Sequence, residues 1–363
     1  MDDKPMKVTL VEVAERAGVS LGSASRAMND QGASEAMVER VRTAAVELGY
    51  RPDASGRSLR MKQTKQIAFA VADIGNPVYV EMLSAIHETV SPAGYRVVVM
   101  QTGQTAHSTA ELVRTMSAGI IDAMILSPLR LDDELLAALT SAPMPIVVIG
   151  RPLPEHGIDS VSTDSAVAIG MAVDHLIDIG RTHIGFINGP LDTTPGAARQ
   201  RGFVSAAQQR LASEASPIEI ADDFTVAAGL IAANTLLTRA QESGTPINAI
   251  VAANDLLAIG VIRAAKNLGL RVPEDLAVTG VDNTEIGGLF QPSITSVSLG
   301  STERAHVAAQ IVLERIAPDA GHGGEVRQAH IGPTLVARES TGAADPMLTS
   351  LNTTPRQSDG TPQ

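Results

Sequence analysis

The sequence contains no cysteine, and this absence excludes several kinds of chemistry. A chain without thiols forms no disulfide bond, uses no thiol nucleophile and holds no cysteine-ligated zinc. It also lacks any apolar run approaching the roughly 18 residues that a membrane span requires. The segment Met1–Gly18 shows neither the apolar core nor the cleavage site of a signal peptide. We therefore expect a cytoplasmic protein with no membrane partner.

Motifs of several enzyme classes are also missing. The sequence has no phosphate-binding loop, no Gly-x-Gly-x-x-Gly after a predicted strand and no His-Glu-x-x-His. Its eight histidines show no spacing typical of metal ligands. We therefore expect no catalytic residue, no metal site and no cofactor.

Two short helices joined by a tight turn are predicted near the N-terminus. Thr9 and Glu12 have the spacing of a capping box, which starts a helix. Gly18 supplies the left-handed residue that ends this helix, and Ser20 caps the next one. A third helix is predicted from about Ser34 to Leu48. The pattern indicates a helix-turn-helix that reads DNA, with an ordinary helical hairpin as the alternative.

The following segment, Tyr50–Arg60, predicts a helix of barely two turns, too short to be stable alone in water. Together with the helix-turn-helix, it resembles the LacI/GalR family of transcriptional repressors, whose members carry TLxDVAxxAGVSxxTVSRVLN and then YxPNxxARSL. The resemblance implies a hinge helix that forms on DNA and pushes a leucine, here Leu59, between base pairs in the minor groove. Asp53 and Gly56 stand where the family usually has asparagine and alanine, so we expect a weaker, more DNA-dependent hinge.

The resemblance also implies which residues contact DNA. The family's two variable positions in the reading helix are Leu21 and Gly22, which offer no polar side-chain group, so polar readout should fall mainly on Arg26. The implied partner is a pseudo-palindromic double-stranded operator bound by a homodimer. Basic residues outnumber acidic ones in residues 1–66 and are outnumbered in the remainder, which agrees with this division. The candidate DNA-binding residues are Thr9, Ser20, Leu21, Gly22, Ser23, Ser25, Arg26, Asn29, Arg57 and Leu59.

Strand-like and helix-length segments alternate from Ile67 to Thr341. Such alternation predicts an α/β fold with parallel sheets covered by helices on both faces, and two series of strands suggest two lobes. The resemblance implies a periplasmic-binding-protein-like pair of doubly wound lobes. Buried strands are predicted at Ile67–Val71, Arg96–Met100, Ala123–Leu126, Ile146–Ile149, Ile184–Ile187, Ile218–Ile220, Ala249–Ala252 and Ala277–Val281.

Four regions follow from these patterns. They are a helix-turn-helix DNA-binding domain (1–50), a hinge helix and linker (51–65), a two-lobed domain for effector binding and dimerisation (66–341), and a tail (342–363). The tail is rich in proline, serine and threonine, so we expect it to be disordered. The helices near Asn76–Glu88 and Thr302–Ile316 are candidate dimer faces.

Ligands of open parallel sheets bind beyond the carboxyl ends of the strands, and polar residues follow several predicted strands here. Carboxylates, arginine, asparagine and an aromatic face together suit a small-molecule carbohydrate effector. Asn254 has a structural alternative as the cap of helix Leu256–Leu268, and Phe224 has one in packing. The resemblance implies that Asp164, Arg199, Asn254 and Asp282 line the effector cleft, with Tyr79 and Phe224 as candidate platforms. The candidate effector-binding residues are Asp73, Asn76, Tyr79, Arg151, Asp164, Arg199, Phe224, Asn254 and Asp282.

These features favour an allosteric DNA-binding regulator over two alternatives that use the same two-lobed body. An enzyme acting on a sugar should carry catalytic motifs, and a secreted sugar-binding receptor should begin with a signal peptide.

Overall fold

The computed structural model of the chain describes residues 8–29, 32–50, 63–211, 216–317 and 325–344. The chain forms two compact units, a head (Met1–Thr64) and a body (Lys65–Gln363). The predicted hinge residues Arg57 and Leu59 and the tail after residue 344 lie outside the described residues. No helix in the described ranges is both long and apolar enough to cross a membrane.

In its described residues, the head contains three helices: α1 (Leu10–Ala17), α2 (Leu21–Met28) and α3 (Glu35–Glu47). The predicted signals act at their ends, since Thr9 and Glu12 form the capping box of α1 and Gly18 follows with a left-handed φ of 69°. Small side chains let the three short helices approach closely around one core. That core consists of Val13, Ala14, Ala24, Ala27, Val41, Ala44 and Ala45.

The body alternates strands and helices throughout. In chain order its first part contains β1 (Gln66–Val71), α4 (Pro77–Val90), β2 (Arg96–Gln101), α5 (Ala106–Met116), β3 (Ala123–Ser127), α6 (Asp133–Ser141), β4 (Ile146–Gly150) and β5 (Asp159–Ser162). It continues with α7 (Ser165–Asp178), β6 (Ile184–Asn188), α8 (Thr194–Arg210), β7 (Ile218–Ile220), α9 (Val226–Glu242), β8 (Ala249–Ala252), α10 (Asp255–Asn267), β9 (Ala277–Val281), α11 (Glu285–Leu289), β10 (Thr295–Ser298), α12 (Ser301–Ile316), β11 (Gln328–His330) and β12 (Thr334–Val336).

These strands form two six-stranded sheets, which define the two lobes. Lobe one has the order β11-β5-β4-β3-β1-β2 and is parallel throughout. Lobe two has the order β12-β10-β9-β8-β6-β7, in which only the pairing of β12 with β10 is antiparallel. Each sheet carries helices on both faces, as expected for parallel strands buried on two sides.

The two faces of β1 show how side-chain size is matched to the helix layers. Ile67 and Phe69 pack in a core with residues of α4 and α12. The intervening alanines, Ala68 and Ala70, pack against α5 and α6 on the other face. Because successive residues of a strand point to opposite faces, this alternation places the large side chains of β1 on one face of the sheet and its alanines on the other.

The strand predictions were wrong in two respects. The predicted buried strands Arg96–Met100 and Ile218–Ile220 are partly exposed, because β2 and β7 are sheet edges with a neighbour on one side only. The prediction also missed four short strands, β5, β10, β11 and β12. Two of the four residues of β5 (DSVS) and three of the four residues of β10 (TSVS) are serine or threonine, so these strands lack the continuous apolar run that marked the other strands.

The chain crosses between the lobes three times, after β5, after β10 and after β11. The first and third crossings lie side by side, since the Ile331 N–H donates to the Ser162 carbonyl at 2.9 Å. Gly300 has a φ of 65°, and a Cβ there would lie 2.6 Å from Ile331 Cγ2. Glycine therefore allows the second and third crossings to approach closely. As a result α12, which follows a strand of lobe two, packs on lobe one.

Candidate ligand cavity and nucleic-acid interface

The exposed side of α2 carries three linked polar side chains. The Ser20 hydroxyl caps the helix by accepting from the Ser23 N–H at 3.1 Å, and it donates to Ser23 Oγ at 2.9 Å. Arg26 Nη2 also donates to Ser23 Oγ, at 3.3 Å. Arg26 is therefore exposed yet restrained by a neighbour one turn away. Such preorganisation suits a guanidinium that has to meet a partner in one orientation.

Other predicted contact residues stabilise the ends of these helices. The Thr9 N–H and hydroxyl donate to Glu12 Oε2 at 2.7 and 2.9 Å, and the backbone bond contributes most to lowering the pKa of Glu12. Asn29 Nδ2 donates to the Ser25 carbonyl at 2.7 Å where α2 ends. Leu21 is 47% exposed at the start of the same helix and has Gly22 beside it. The structure thus places an apolar and a cationic side chain on one exposed helix surface.

A cavity of 640 Å³ lies between the two lobes of the body. All nine predicted effector-binding residues line this cavity, although they come from distant parts of the sequence. Their position is the one expected for ligand-binding residues of open parallel sheets. Lobe one contributes Asp73, Asn76, Tyr79 and Arg151; lobe two contributes Arg199, Phe224, Asn254 and Asp282; Asp164 lies at the first crossing. Their role in binding stays a prediction.

We call the buried lining residues Arg199, Asn254, Asp282 and Arg304 the floor of the cavity. Arg199 is 6% exposed, and its Nη2 lies 3.6 Å from Asp282 Oδ1. Burial raises the pKa of Asp282 above its usual value, although both arginines act in the opposite direction. Burial lowers the pKa of Arg199, and the Asp282 carboxylate offsets part of this decrease. The floor is therefore a desolvated group of charges in which electrostatic interactions are strong.

Asp282 lies in a backbone conformation that residues other than glycine rarely adopt. Its φ is 100°, and that of Asn283 is 55°. The Asn283 N–H donates to Ser296 Oγ at 2.9 Å, and Arg338 Nη2 donates to Asn283 Oδ1 at 2.7 Å. The Asp282 N–H donates to the Val297 carbonyl at 3.0 Å. Strain of this kind persists only where the surroundings enforce it, so the position of the Asp282 carboxylate is fixed.

Asp255 supports this turn from behind without lining the cavity. Its Oδ2 accepts from the Thr284 N–H at 2.7 Å and from the Thr284 hydroxyl at 2.9 Å, and its Oδ1 accepts from the Ser296 hydroxyl at 2.6 Å. Burial, followed by the nearby Asp282 carboxylate, raises the pKa of Asp255 to about 7. The carboxyl is thus a structural group that holds the segment between β9 and α11.

We call the exposed lining residues Asp73, Arg151, Asp164, Arg201 and His330 the rim of the cavity. Asp73 Oδ1 accepts from the Gly75 N–H at 2.9 Å, and Asp164 Oδ1 accepts from the Ala166 N–H at 2.9 Å. Each carboxylate therefore uses one oxygen to shape its own turn. Rim groups exchange these contacts with water more readily than the floor does.

Asn254 combines a place in the cavity with a structural task. Its Oδ1 accepts from the Leu257 N–H at 2.9 Å, which caps α10, and its Nδ2 donates to the Phe224 carbonyl at 3.1 Å. The helix-capping alternative is thereby confirmed. Both polar atoms of the side chain are engaged by the protein, so any ligand contact by Asn254 would be an additional one.

Two aromatic rings line the cavity, one from each lobe. Phe224 has its ring centroid 5.7 Å from Arg199 Cζ, and a Cβ on Gly189 would lie 2.4 Å from the ring. Tyr79 packs edge-to-face against Phe69, with centroids 6.3 Å apart. Burial raises the pKa of the Tyr79 phenol, so its hydroxyl stays neutral. Such rings present apolar faces on which the C–H surface of a sugar could rest.

The sequence analysis missed Arg304, which is 7% exposed and lines the floor from the first turn of α12. Burial lowers its pKa, and the Asp282 carboxylate opposes this effect. The strand-end rule would have found Arg304 if β10 had been recognised, because α12 begins three residues after that strand. Thr163, also missed, lines the cavity with a buried hydroxyl that has no hydrogen-bond partner among the described residues.

An ion pair and a backbone hydrogen bond join the lobes beside the cavity. Arg130, after β3, donates from Nε and Nη2 to the two carboxylate oxygens of Asp192, after β6, at 2.7 and 3.1 Å. The Thr194 N–H donates to the Leu129 carbonyl at 2.8 Å. The two lobes are thus held together by bonds that lie outside the three crossings.

Comparison with known proteins identifies relatives of both units. Residues 9–53 match the model of bacterial regulatory proteins of the lacI family, and residues 173–341 match that of periplasmic binding protein-like domains. The chain is 31% identical to the HTH-type transcriptional regulator CelR of Thermobifida fusca, over 86% of this chain and 93% of that protein.

Two solved structures extend the likeness to three dimensions. The transcriptional regulator CelR–cellobiose complex has a TM-score of 0.68 and 29% identity, covering 92% of this chain and 100% of that one. The lac repressor dimer bound to operator and the anti-inducer ONPF has a TM-score of 0.79 and 25% identity, covering 93% of this chain and 100% of that one. These likenesses confirm the predicted fold class, and the relatives are regulators rather than enzymes.

Proposed function

Since this chain belongs to the LacI family of bacterial regulatory proteins, we propose that it represses transcription as a homodimer on a pseudo-palindromic operator. A small molecule bound between the lobes would control its affinity for DNA. A relative of known structure is a dimer on its operator, and another contains cellobiose, so we assign a sugar or sugar derivative as the effector class. Its DNA partner places its action in the cytoplasm, and we assign it no catalytic step.

The exposed surface of α2 is the observation that carries the DNA-binding part of this proposal. Leu21 offers apolar contact to a thymine methyl group, and the restrained Arg26 guanidinium is suited to the acceptor pair of guanine in the major groove. One face of α2 packs in the small core of the head, and its other face is exposed. This fits a helix that reads DNA rather than an ordinary helical hairpin buried on both sides.

Effector control follows from linkage between two states of the body. A ligand shifts an equilibrium only by the difference in its affinity for the two states. A molecule that contacts both lobes would favour one inter-lobe arrangement, and couplings of about 1 to 3 kcal/mol are typical. Helices α4 and α12, the candidate dimer faces, pack on each other within one chain, with Thr89 Oγ1 2.8 Å from His306 Nδ1. The body can thereby transmit a change from the cavity to that surface.

The direct test is fluorescence anisotropy of the full chain on DNA upstream of its own gene, at several salt concentrations, with random DNA for comparison. We expect specific binding that falls log-linearly with salt. Arg26→Met should weaken binding to the specific site by about 1 to 3 kcal/mol, the range of one bidentate base contact. Binding to random DNA should change much less.

Arg16→Met provides the matched control within the head. Arg16 is an exposed arginine of α1 whose guanidinium pairs with Glu47 at 2.6 Å rather than lying on the surface of α2. Arg16→Met removes the same formal charge as Arg26→Met but leaves the Arg26 side chain in place. If the two variants lost equal affinity for specific DNA, and equal affinity for random DNA, the assignment of α2 as the helix that reads DNA would be contradicted.

A further inference from the structure

We propose that the ligand of this cavity is a sugar acid, whose carboxylate is bound by Arg199 and Arg304 in the floor. The inference depends on the proposed function only in taking the cavity as the effector site. It adds the chemical class of the ligand and assigns a specificity-determining role to Arg304.

Both arginines are buried with unused hydrogen-bonding capacity. Among the described residues, the buried Nε atom of each arginine has no hydrogen-bond partner. The Asp282 carboxylate is the nearest partner of Arg199, at 3.6 Å, which is an ion-pair distance. A guanidinium carries five N–H donors, and native proteins rarely leave such donors buried and unpaired. The missing partner is therefore expected to be an acceptor-rich group of the ligand.

The charges of the floor also lack an anion. Within the floor, two guanidinium groups share one carboxylate, that of Asp282, whereas the other carboxylates that line the cavity, those of Asp73, Asp164 and Asp223, lie outside the floor. Two other carboxyls lie close by but do not line the cavity and bond elsewhere: Asp255 to Thr284 and Ser296, and Glu81 to the Glu285 N–H and the Ser301 hydroxyl at 3.2 Å. One monoanion would balance the floor. A phosphate monoester, which carries close to two charges, would meet repulsion from Asp282.

The position of Arg304 is unfavourable for its own helix. It lies at the start of the 16-residue helix α12, where the helix dipole disfavours a cation. The same dipole adds to the positive potential and so favours an anion at this end of the cavity. A buried arginine that is unfavourable for its own helix and whose Nε lacks a hydrogen-bond partner among the described residues is best explained by a ligand.

The rest of the lining fits the polyhydroxy part of a sugar acid. The Asp282 carboxylate and the unpartnered Thr163 hydroxyl can bond ligand hydroxyl groups, and Phe224 and Tyr79 offer apolar faces. The 640 Å³ volume lies within the usual range of small-molecule sites. A bare carboxylate would leave these groups unused, whereas a sugar acid engages both the cationic and the hydroxylated regions.

The test uses the full-length chain and matched pairs of probes that differ in one carboxylate. The pairs are D-glucose and D-glucuronate, D-galactose and D-galacturonate, and D-glucitol and D-gluconate, with D-glucose 6-phosphate as the dianionic comparison. Thermal shift ranks the probes, and calorimetry gives the Kd of those that bind. We expect at least one acid to raise the Tm while its neutral partner does not.

Arg304→Met then tests the residue. It should weaken binding of the preferred acid by roughly 30-fold, the factor that corresponds to about 2 kcal/mol of charge-assisted hydrogen bonding. Arg201→Met is the control, since Arg201 lines the same cavity but is exposed, and its loss should change the Kd far less. The melting curve of the ligand-free Arg304→Met protein shows whether this variant folds; Arg199, whose Nη2 lies 3.6 Å from Asp282 Oδ1, still faces that carboxylate.

Three outcomes would overturn the proposal: a neutral sugar that binds more tightly than its acid, a preference for the phosphate, or a panel in which no acid binds. So would an Arg304→Met protein that folds and keeps the acid affinity of the parent. These readouts involve no DNA. An acid that binds through Arg304 without altering operator affinity would instead contradict the proposed function and leave this inference standing.

Discussion

The two lobes of the body have closely related sheets but pack their helices differently. In lobe two, helices meet at glycines: a Cβ on Gly260 would lie 2.5 Å from the Val226 carbonyl oxygen, and one on Gly202 would lie 2.4 Å from the Ala166 carbonyl oxygen. The helices of lobe one contain no glycine, and α4 and α12 meet through side chains such as those of Ile86 and Ala308. Lobe two is therefore packed backbone to backbone and has little freedom to adjust.

The cavity shows the same contrast. Lobe two supplies three of the four floor residues and holds Asp282 in a strained conformation through Asp255, Ser296 and Arg338. Among the charged lining residues, lobe one supplies the exposed Asp73 and Arg151 together with the buried Arg304 of α12. Lobe two thus supplies most of the buried charges, and lobe one adds exposed charges at the rim. The following predictions test this difference, starting with the largest effect.

Removing the buried support of lobe two should cost far more than removing a rim carboxylate of lobe one. Asp255→Ala leaves the Thr284 N–H, the Thr284 hydroxyl and the Ser296 hydroxyl without their acceptor. We expect a loss of about 4 kcal/mol in the free energy of unfolding, measured by urea denaturation. The matched variant Asp73→Ala loses one exposed bond and should cost less than about 1 kcal/mol. Similar losses of stability for both variants would remove the distinction between the buried support behind the floor and the rim.

Filling the glycine contact between α9 and α10 should destabilise lobe two. Gly260→Ala places a Cβ 2.5 Å from both the Leu230 nitrogen and the Val226 carbonyl oxygen, so one helix must move. We expect the free energy of unfolding to decrease by about 3 kcal/mol, which is in the range known for overpacked cores. Gly170→Ala, in α7, meets no atom within 4 Å and should stabilise the chain by about 0.5 to 1 kcal/mol. A tolerated Gly260→Ala would show that these helices can separate.

Much of this architecture could be predicted from the sequence because the signals are local. Thr9, Ser20 and Gly18 mark helix ends by their own chemistry, and apolar runs mark the central strands. The strand-end rule and the family resemblance then selected residues from distant parts of the sequence that meet in one cavity. These signals depend only on a few adjacent residues.

The features that the sequence analysis did not predict depend on residues that are distant in the sequence. The positive φ of Asp282 and Asn283 is supported by Arg338 and Ser296, which lie 55 and 13 residues from Asn283. Arg304 was missed because its helix follows a short polar strand without an apolar run. The return of α12 to lobe one depends on the close approach at Gly300, which no periodicity reveals.

The pH dependence of stability should report on the buried carboxyl behind the floor. The pKa of Asp255 in the folded chain is raised to about 7, well above its unfolded value, so the folded state binds the proton more tightly. Stability should therefore decrease by about 2 kcal/mol as pH rises from about 5 to about 7, and change little above that. The Asp255→Asn variant should show a flatter profile. Parallel profiles for the two proteins would mean that Asp255 is ionised in the folded state.

The smallest effect is expected where the lobes meet at the surface. Asp192→Asn removes the carboxylate charge that pairs with Arg130, whose guanidinium also lowers the pKa of Asp192. Because Asp192 is largely exposed, we expect the free energy of unfolding, measured by thermal denaturation, to decrease by less than about 1 kcal/mol. This difference should become smaller at high salt, which screens the ion pair. A loss as large as that for Asp255→Ala would show that the lobes depend on this pair.

Reciprocal linkage between cavity and operator is the central claim, and it can be measured directly. Calorimetry would give the Kd of the preferred ligand for the free chain and for the chain saturated with operator DNA. We expect the two values to differ by roughly 5- to 150-fold, and by the same factor by which the ligand changes operator affinity. A ligand that binds the cavity with equal affinity in both states would contradict allosteric control.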